Sequence, residues 1–106
     1  MELTRGEVWW ANAPPPIGRR PVVLVSREQI YGVRRHVTVV PLTTIVRNIP
    51  TEVALGPDDG VPKRCVANAD SITTIDKRRL SGFMCALERS KIDVLDKAIK
   101  FALALS

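Results

Sequence analysis

Gly18-Arg19-Arg20-Pro21-Val22-Val23-Leu24-Val25-Ser26 is the stretch on which the fold turns. Four consecutive apolar residues, three of them β-branched, follow a proline and stop at a serine. A run of that composition and length is a strand covered on both faces, and proline is tolerated at a strand's first position. Upstream, Glu7-Val8-Trp9-Trp10-Ala11 reads as a second, aromatic strand. It stops at Asn12-Ala13-Pro14-Pro15-Pro16, because three successive prolines have no N–H to give to a ladder. Downstream, beyond Tyr31-Gly32 and Arg34-Arg35, His36 to Leu42 reads as a third strand, in which Pro41 implies a bulge or an edge position. Glu52 to Leu55, Cys65 to Ala67, Ser71 to Ile75 and Leu80 to Ala86 are further short extended pieces, and Gly56-Pro57-Asp58-Asp59-Gly60 is a turn cluster.

The period changes only near the C-terminus. Ser90 with Asp93 makes a capping-box-like start. Ile92, Leu95, Ile99 and Leu103 then repeat at helical spacing, with Lys91, Asp96, Lys97 and Lys100 mostly off that line. Several short strands followed by one amphipathic helix predict a mainly β fold, a small, partly open β-barrel with a helix packed on it. A length of 106 residues suits a single domain spanning residues 1–106, and no repeat or linker interrupts it.

Sixteen Lys and Arg face eleven Asp and Glu, a net charge of +5, with a pI near 9.8. That excess points to a polyanionic partner, although a merely soluble basic domain shows it too. Met1-Glu2-Leu3-Thr4-Arg5 is polar and no apolar signal region follows. Val22 to Val25 and Phe101 to Leu105 are too short to span a bilayer, so no membrane association is expected. Cys65 and Cys85 lack metal-ligand spacing, which predicts two free buried thiols and a cytoplasmic location. With His36 the single histidine, neither a metal site nor a cofactor is expected.

Two segments could carry chemistry. Arg19 and Arg20 sit where a loop feeds a buried strand, which fixes the backbone and leaves guanidinium forks suited to phosphate oxygens. They could equally be solvated loop charges. Thr43 and Thr44 end the third strand, where a hydroxyl can hold a phosphate oxygen or simply make a turn. His36 is the obvious general base by residue type, but it opens a strand just after Arg34-Arg35 and reads as structural or surface. Trp9 and Trp10 are adjacent in a strand and point to opposite faces. One belongs to the core, and the other either stacks a base or lies in a dimer seam. Lys63-Arg64 and Lys77-Arg78-Arg79 read as solvated charges that could add to the attraction of a polyanion.

Four segments occur together and in order: Arg5-Gly6-Glu7-Val8-Trp9, Arg20-Pro21-Val22-Val23-Leu24-Val25-Ser26, Val39-Val40-Pro41-Leu42-Thr43, and Asn68-Ala69-Asp70-Ser71-Ile72-Thr73-Thr74-Ile75-Asp76-Lys77. With them the chain resembles the MazF/PemK-like toxins of bacterial toxin–antitoxin pairs, from about Arg5 to Leu105. The resemblance implies an SH3-like barrel that forms a homodimer. It implies an endoribonuclease that cuts single-stranded RNA at short sequences without a metal, held inactive by a cognate antitoxin protein. The family's arginine falls on Arg20 and its hydroxyl residue on Thr43. The start of its base-contacting strand falls on Asp70 and Ser71, and Arg19 stands beside Arg20 as a further RNA contact. One departure is plain. Many relatives carry a G-S-E stretch in the first loop, where this chain has Pro14-Pro15-Pro16-Ile17-Gly18, so sequence preference and any acidic helper there stay open.

The chemistry also follows from the residues. RNA carries its own nucleophile, the 2′-OH, so an enzyme must align 2′-O, P and 5′-O and neutralise the charge that builds on phosphorus. Arg20 suits that charge but not general base work, because guanidinium keeps its protons. Arg20 is therefore expected on the phosphate, where it could also serve the leaving group, and Thr43 as a hydrogen bond to the transition state. No general base is identified. Two rivals share the fold class or the charge: a gyrase-poisoning toxin and a non-catalytic RNA-binding barrel. The first relies on an aromatic C-terminal tail, whereas this chain ends Leu103-Ala104-Leu105-Ser106.

Overall fold

The computed structural model describes residues 2–106. It contains seven strands, β1 (Glu7–Asn12), β2 (Arg19–Leu24), β3 (His36–Thr43), β4 (Glu52–Leu55), β5 (Cys65–Asn68), β6 (Thr73–Asp76) and β7 (Leu80–Ala86), and one helix, α1 (Arg89–Ala102). Every pairing is antiparallel. The order across the sheet is β4-β5-β3-β2-β1-β7, with β6 alongside β3 beyond the end of β5. The ends do not meet, so the sheet is an open one closed by its helix, as the strand and helix pattern led one to expect.

Alternation along β2 and β3 builds two cores. Val23, Val40 and Leu42 face one side, where Leu95 and Ala98 of α1 cover them. Val22, Leu24, Val37 and Val39 face the other, covered by Leu3, Ile30, Tyr31 and Leu80. The apolar run from Val22 to Leu24 is thus buried on both faces, which is why it does not alternate in sequence. Tyr31 is held in place by donating its hydroxyl to Ser26 O at 2.9 Å, and burial raises its pKa to about 12.

Two local expectations need refining. Pro41 keeps regular register with β2 but is unpaired on its other side, a local edge within a central strand. Val25 N–H donates to Thr38 O, so on the β2 side the ladder bonds of β3 fall on Thr38, Val40 and Leu42. The Pro41 nitrogen therefore faces away from β2. On that side β3 pairs with β6 up to Val39 and with β5 from Leu42, and the 3₁₀ turn Ala69–Ser71 occupies the gap. The helix, likewise, does not use a capping box: Glu88 is its N-cap, with no side-chain cap bond, and Ser90 lies inside it. Of the expected apolar line, Leu95 is buried, whereas Leu103 is exposed just past the helix end.

Gly6 explains how α1 comes so close. It has a φ of +91°, and a Cβ there would lie 2.5 Å from Ile92 Cδ1. The positive φ favours glycine, and any side chain there would also force the end of Ile92 to move. Arg5 then ties the N-terminal segment to the helix through Asp96, at 2.8 Å.

Candidate functional site

The pairing of β2 with β3 sets Val22 opposite Pro41 and Leu24 opposite Val39. Carrying that register two residues towards the loop end places Arg20 across from Thr43, on the same face. Both residues line the same two cavities. The Arg20 Nε is shielded from solvent and has no hydrogen-bond partner among the described residues. An orphaned donor of that kind costs about 1–3 kcal/mol, so its presence calls for an explanation. Thr43 Oγ1 accepts from Ile45 N–H at 3.2 Å, which leaves the hydroxyl proton free to be donated.

The two cavities meet at this pair. One, of about 300 Å³, lies on the helix side of the rim and is walled by Trp10, Pro21, Leu42, Val61 and Cys65, with Arg19 and Lys63 at its mouth. Trp10 pairs with Pro21 across β1 and β2, and Leu42 continues that row on β3. The Arg19 guanidinium carbon lies 4.5 Å from the Trp10 ring centroid. The other cavity, of about 470 Å³, opens beneath the Pro14–Gly18 loop and is lined by Ile17, Pro41, Arg47, Asn68, Ser71 and Thr73, among others. Neither cavity has a carboxylate or an imidazole in its lining. Cys65 is the one nucleophilic sulfur, and burial raises its pKa, so it stays a thiol near neutral pH.

Of the expected site residues, Arg19, Arg20, Thr43 and Ser71 gather here. Asp70 does not line either cavity. Its carboxylate accepts from the Thr51 hydroxyl at 2.7 Å, and Thr51 is buried. Its amide is capped by Asn68 Oδ1 at 2.9 Å. Asp70 thus fixes the turn that presents Ser71. His36 stands seven residues from Thr43 along β3, about 23 Å at strand rise, in a separate hollow with Arg5, Arg34 and Thr38. Lys77 and Arg78 are tied up locally, with Tyr31 O and Asp76 respectively. Arg78 holds the Asp76 carboxyl well below the usual carboxylate range, first by its side-chain hydrogen bonds.

A family model described as the PemK-like, MazF-like toxin of type II toxin–antitoxin systems matches residues 4–103. The chain belongs to the PemK/MazF toxin family. Among curated relatives it is 34% identical over 101 residues to "Endoribonuclease MazF1" of Mycobacterium bovis, covering 95% of this chain and 92% of that one. It is 43% identical over 72 residues to "Probable endoribonuclease MazF5" of Mycobacterium tuberculosis, a match spanning 67% of this chain and 65% of that relative's length. Among solved structures, the M. tuberculosis toxin MazF-mt6 superposes with a TM-score of 0.86 at 30% identity, over 94% of this chain and 98% of that one. An endoribonuclease in complex with its cognate antitoxin, from a mycobacterial species, does so with 0.86 at 32% identity, over 98% and 97%.

Within this PemK/MazF frame several site residues escaped the sequence. Lys63 reads as a solvated charge but stands at a cavity mouth. Arg47 lines the second cavity and carries no local mark, whereas Asn68 and Thr73, which also line it, fall in a segment that carries the family resemblance without being singled out there. Trp10 was legible only as one of two candidates. Its row with Pro21 and Leu42 needs the pairing register, which no window of sequence contains. Among the described residues no helix is long and apolar enough to cross a membrane.

Proposed function

We propose that this chain is a sequence-specific endoribonuclease toxin that cleaves single-stranded RNA by attack of the substrate's own 2′-OH. The observation that carries this is the orphaned Arg20 Nε beside the Thr43 hydroxyl, where two cavities meet. A phosphate seated there would supply the missing acceptor. The 2′-oxygen bonds to phosphorus as the P–O5′ bond breaks, giving a 2′,3′-cyclic phosphate and a 5′-OH. In that step the guanidinium would neutralise the charge on the non-bridging oxygens and Thr43 would donate to one of them. The 2′-OH proton passes to water, and the departing 5′-oxygen takes a proton from water. With no carboxylate or imidazole in the cleft, alignment and charge stabilisation carry the rate, and no step calls for a metal. Asn68, Ser71 and Thr73 supply donors and acceptors to read base edges on one side.

The partners follow from the same surface. Exposed Arg19 and Lys63 favour an acidic antitoxin segment that competes with RNA for them. Val94, Phe101 and Leu105 are exposed, along and just beyond α1, and give a second copy an apolar face to cover. The relatives' names support the activity, and one solved relative is described with its cognate antitoxin. The test uses one synthetic RNA, its twin with deoxyribose 5′ to the cut bond, and its duplex, each with and without EDTA. Cutting of the single strand alone, unchanged by chelator, is expected. Cutting of the deoxy twin at the same bond would show that water attacks. Supercoiled DNA with gyrase should be unaffected.

A further inference from the structure

We infer that the helix-side cavity holds one unpaired nucleobase next to the scissile phosphate, stacked on Trp10 and held without regard to its identity. This rests on the ribonuclease reading above. The two tryptophans have different situations. Trp9 donates its indole N–H to Glu7 at 3.1 Å and meets Phe83 edge-on, with centroids 5.7 Å apart. It belongs to the fold. Trp10 makes no such bond among the described residues, is half-buried and lines the cavity, with Arg19 on one face of its ring so that a base would take the other face or the place of Arg19. Arg19 lies over that ring and has no ion-pair partner among the described residues.

The chemistry of the walls selects the occupant. Trp10, Pro21, Leu42 and Val61 present flat or apolar surface, and of the cations in the lining Arg19 and Lys63 are exposed. A nucleobase has an apolar face to stack, and its phosphate would reach the Arg19, Lys63 and Arg20 cations. No Asn or Gln side-chain amide is among its lining residues to question a base edge, and its neutral hydroxyls are those of Thr43 and Thr44 at the rim. The cavity across the rim differs in this respect, with Asn68, Ser71 and Thr73. A strand crossing the rim at Arg20 and Thr43 would thus be read on one side and only gripped on the other.

The probe is the shortest RNA oligonucleotide that the native protein cuts, made uncuttable by a 2′-O-methyl group 5′ to the scissile bond. The Trp9→Phe variant leaves Trp10 as the sole tryptophan reporter. Binding should quench its emission. An abasic substitution at one of the two positions flanking the cut should abolish the quench and weaken binding about tenfold, within the range stacking supplies. Trp10→Leu should show the same tenfold loss on the intact oligonucleotide and none on that abasic one, and Trp10→Phe should restore binding. Exchanging the base at that position should change Kd little, whereas exchange on the other flank should change it strongly. Circular dichroism of Trp10→Leu checks the fold, and the Trp10→Phe rescue holds the test open if the leucine variant unfolds. Unchanged emission, or equal losses on intact and abasic oligonucleotides, overturns the inference. Cutting that is indifferent to Trp10→Leu overturns it alone; absence of cutting of any RNA by the native protein overturns the ribonuclease reading and this with it.

Discussion

Replacing Arg20 with methionine should raise stability and abolish cleavage together. Methionine keeps the length of the apolar stem and brings no donor. It therefore removes the one buried polar side-chain atom that lacks a partner among the described residues. Relieving an orphaned donor returns about 1–3 kcal/mol. Part of that is offset by the altered packing of the loop end of β2, so we expect a net gain near the lower figure. For a domain of this size each kcal/mol moves Tm by about 4–8 °C. Activity should move the other way. Loss of a transition-state donor costs on the order of a hundredfold to a thousandfold in rate. The assays are urea unfolding at fixed protein concentration and single-turnover cleavage of a labelled RNA. Arg20→Lys serves as the control, since it keeps the charge, loses the fork and should recover only part of the rate. A methionine variant that is less stable than the native chain by 1 kcal/mol or more would show that the guanidinium is held by the fold. A variant that cuts at the native rate would refute its place on the phosphate.

Thr43→Val should lower cleavage about a hundredfold with little change in stability. His36→Ala, at the far end of β3, should leave the rate within a few-fold, and a dead His36 variant would refute the site. Burial raises the pKa of both Cys65 and Cys85, so folding favours the neutral thiols. That contribution is complete below the unfolded value of about 8.5 and is lost as pH rises through the higher folded values. Melting between pH 7 and 10 should accordingly fall less steeply for a Cys65→Ala, Cys85→Ala double variant than for the native chain. Gly60 has a φ of +102°, and a Cβ there would lie 2.6 Å from Cys85 Cβ; Gly60→Ala should destabilise by more than 1 kcal/mol in denaturant unfolding, and Cys85→Gly in the same chain should recover only the steric part.

The strands and the helix were legible because their signals are local. Val22 to Leu24 announces burial on both faces by its composition, and Leu80 to Ala86 begins where the basic Lys77-Arg78-Arg79 run stops. Arg20 and Thr43 could be named from the residues that flank them and from the family they resemble. Their meeting could not be read, because it depends on which residue of β2 faces which residue of β3, and a slip of one residue would have turned one of them to the opposite face. The same holds for Pro41, whose place in a central strand is possible only because β5 gives way to β6 opposite it. It holds for Asp70, drawn to Thr51 from nineteen positions away, and for Lys63 and Trp10, brought to one cavity from the segment before β5 and from β1. Side-chain alternation is a property of each strand, so sequence alone determined the elements and their buried faces. Register and the closing of the helix over one core are properties of pairs of distant segments, and those decided the site.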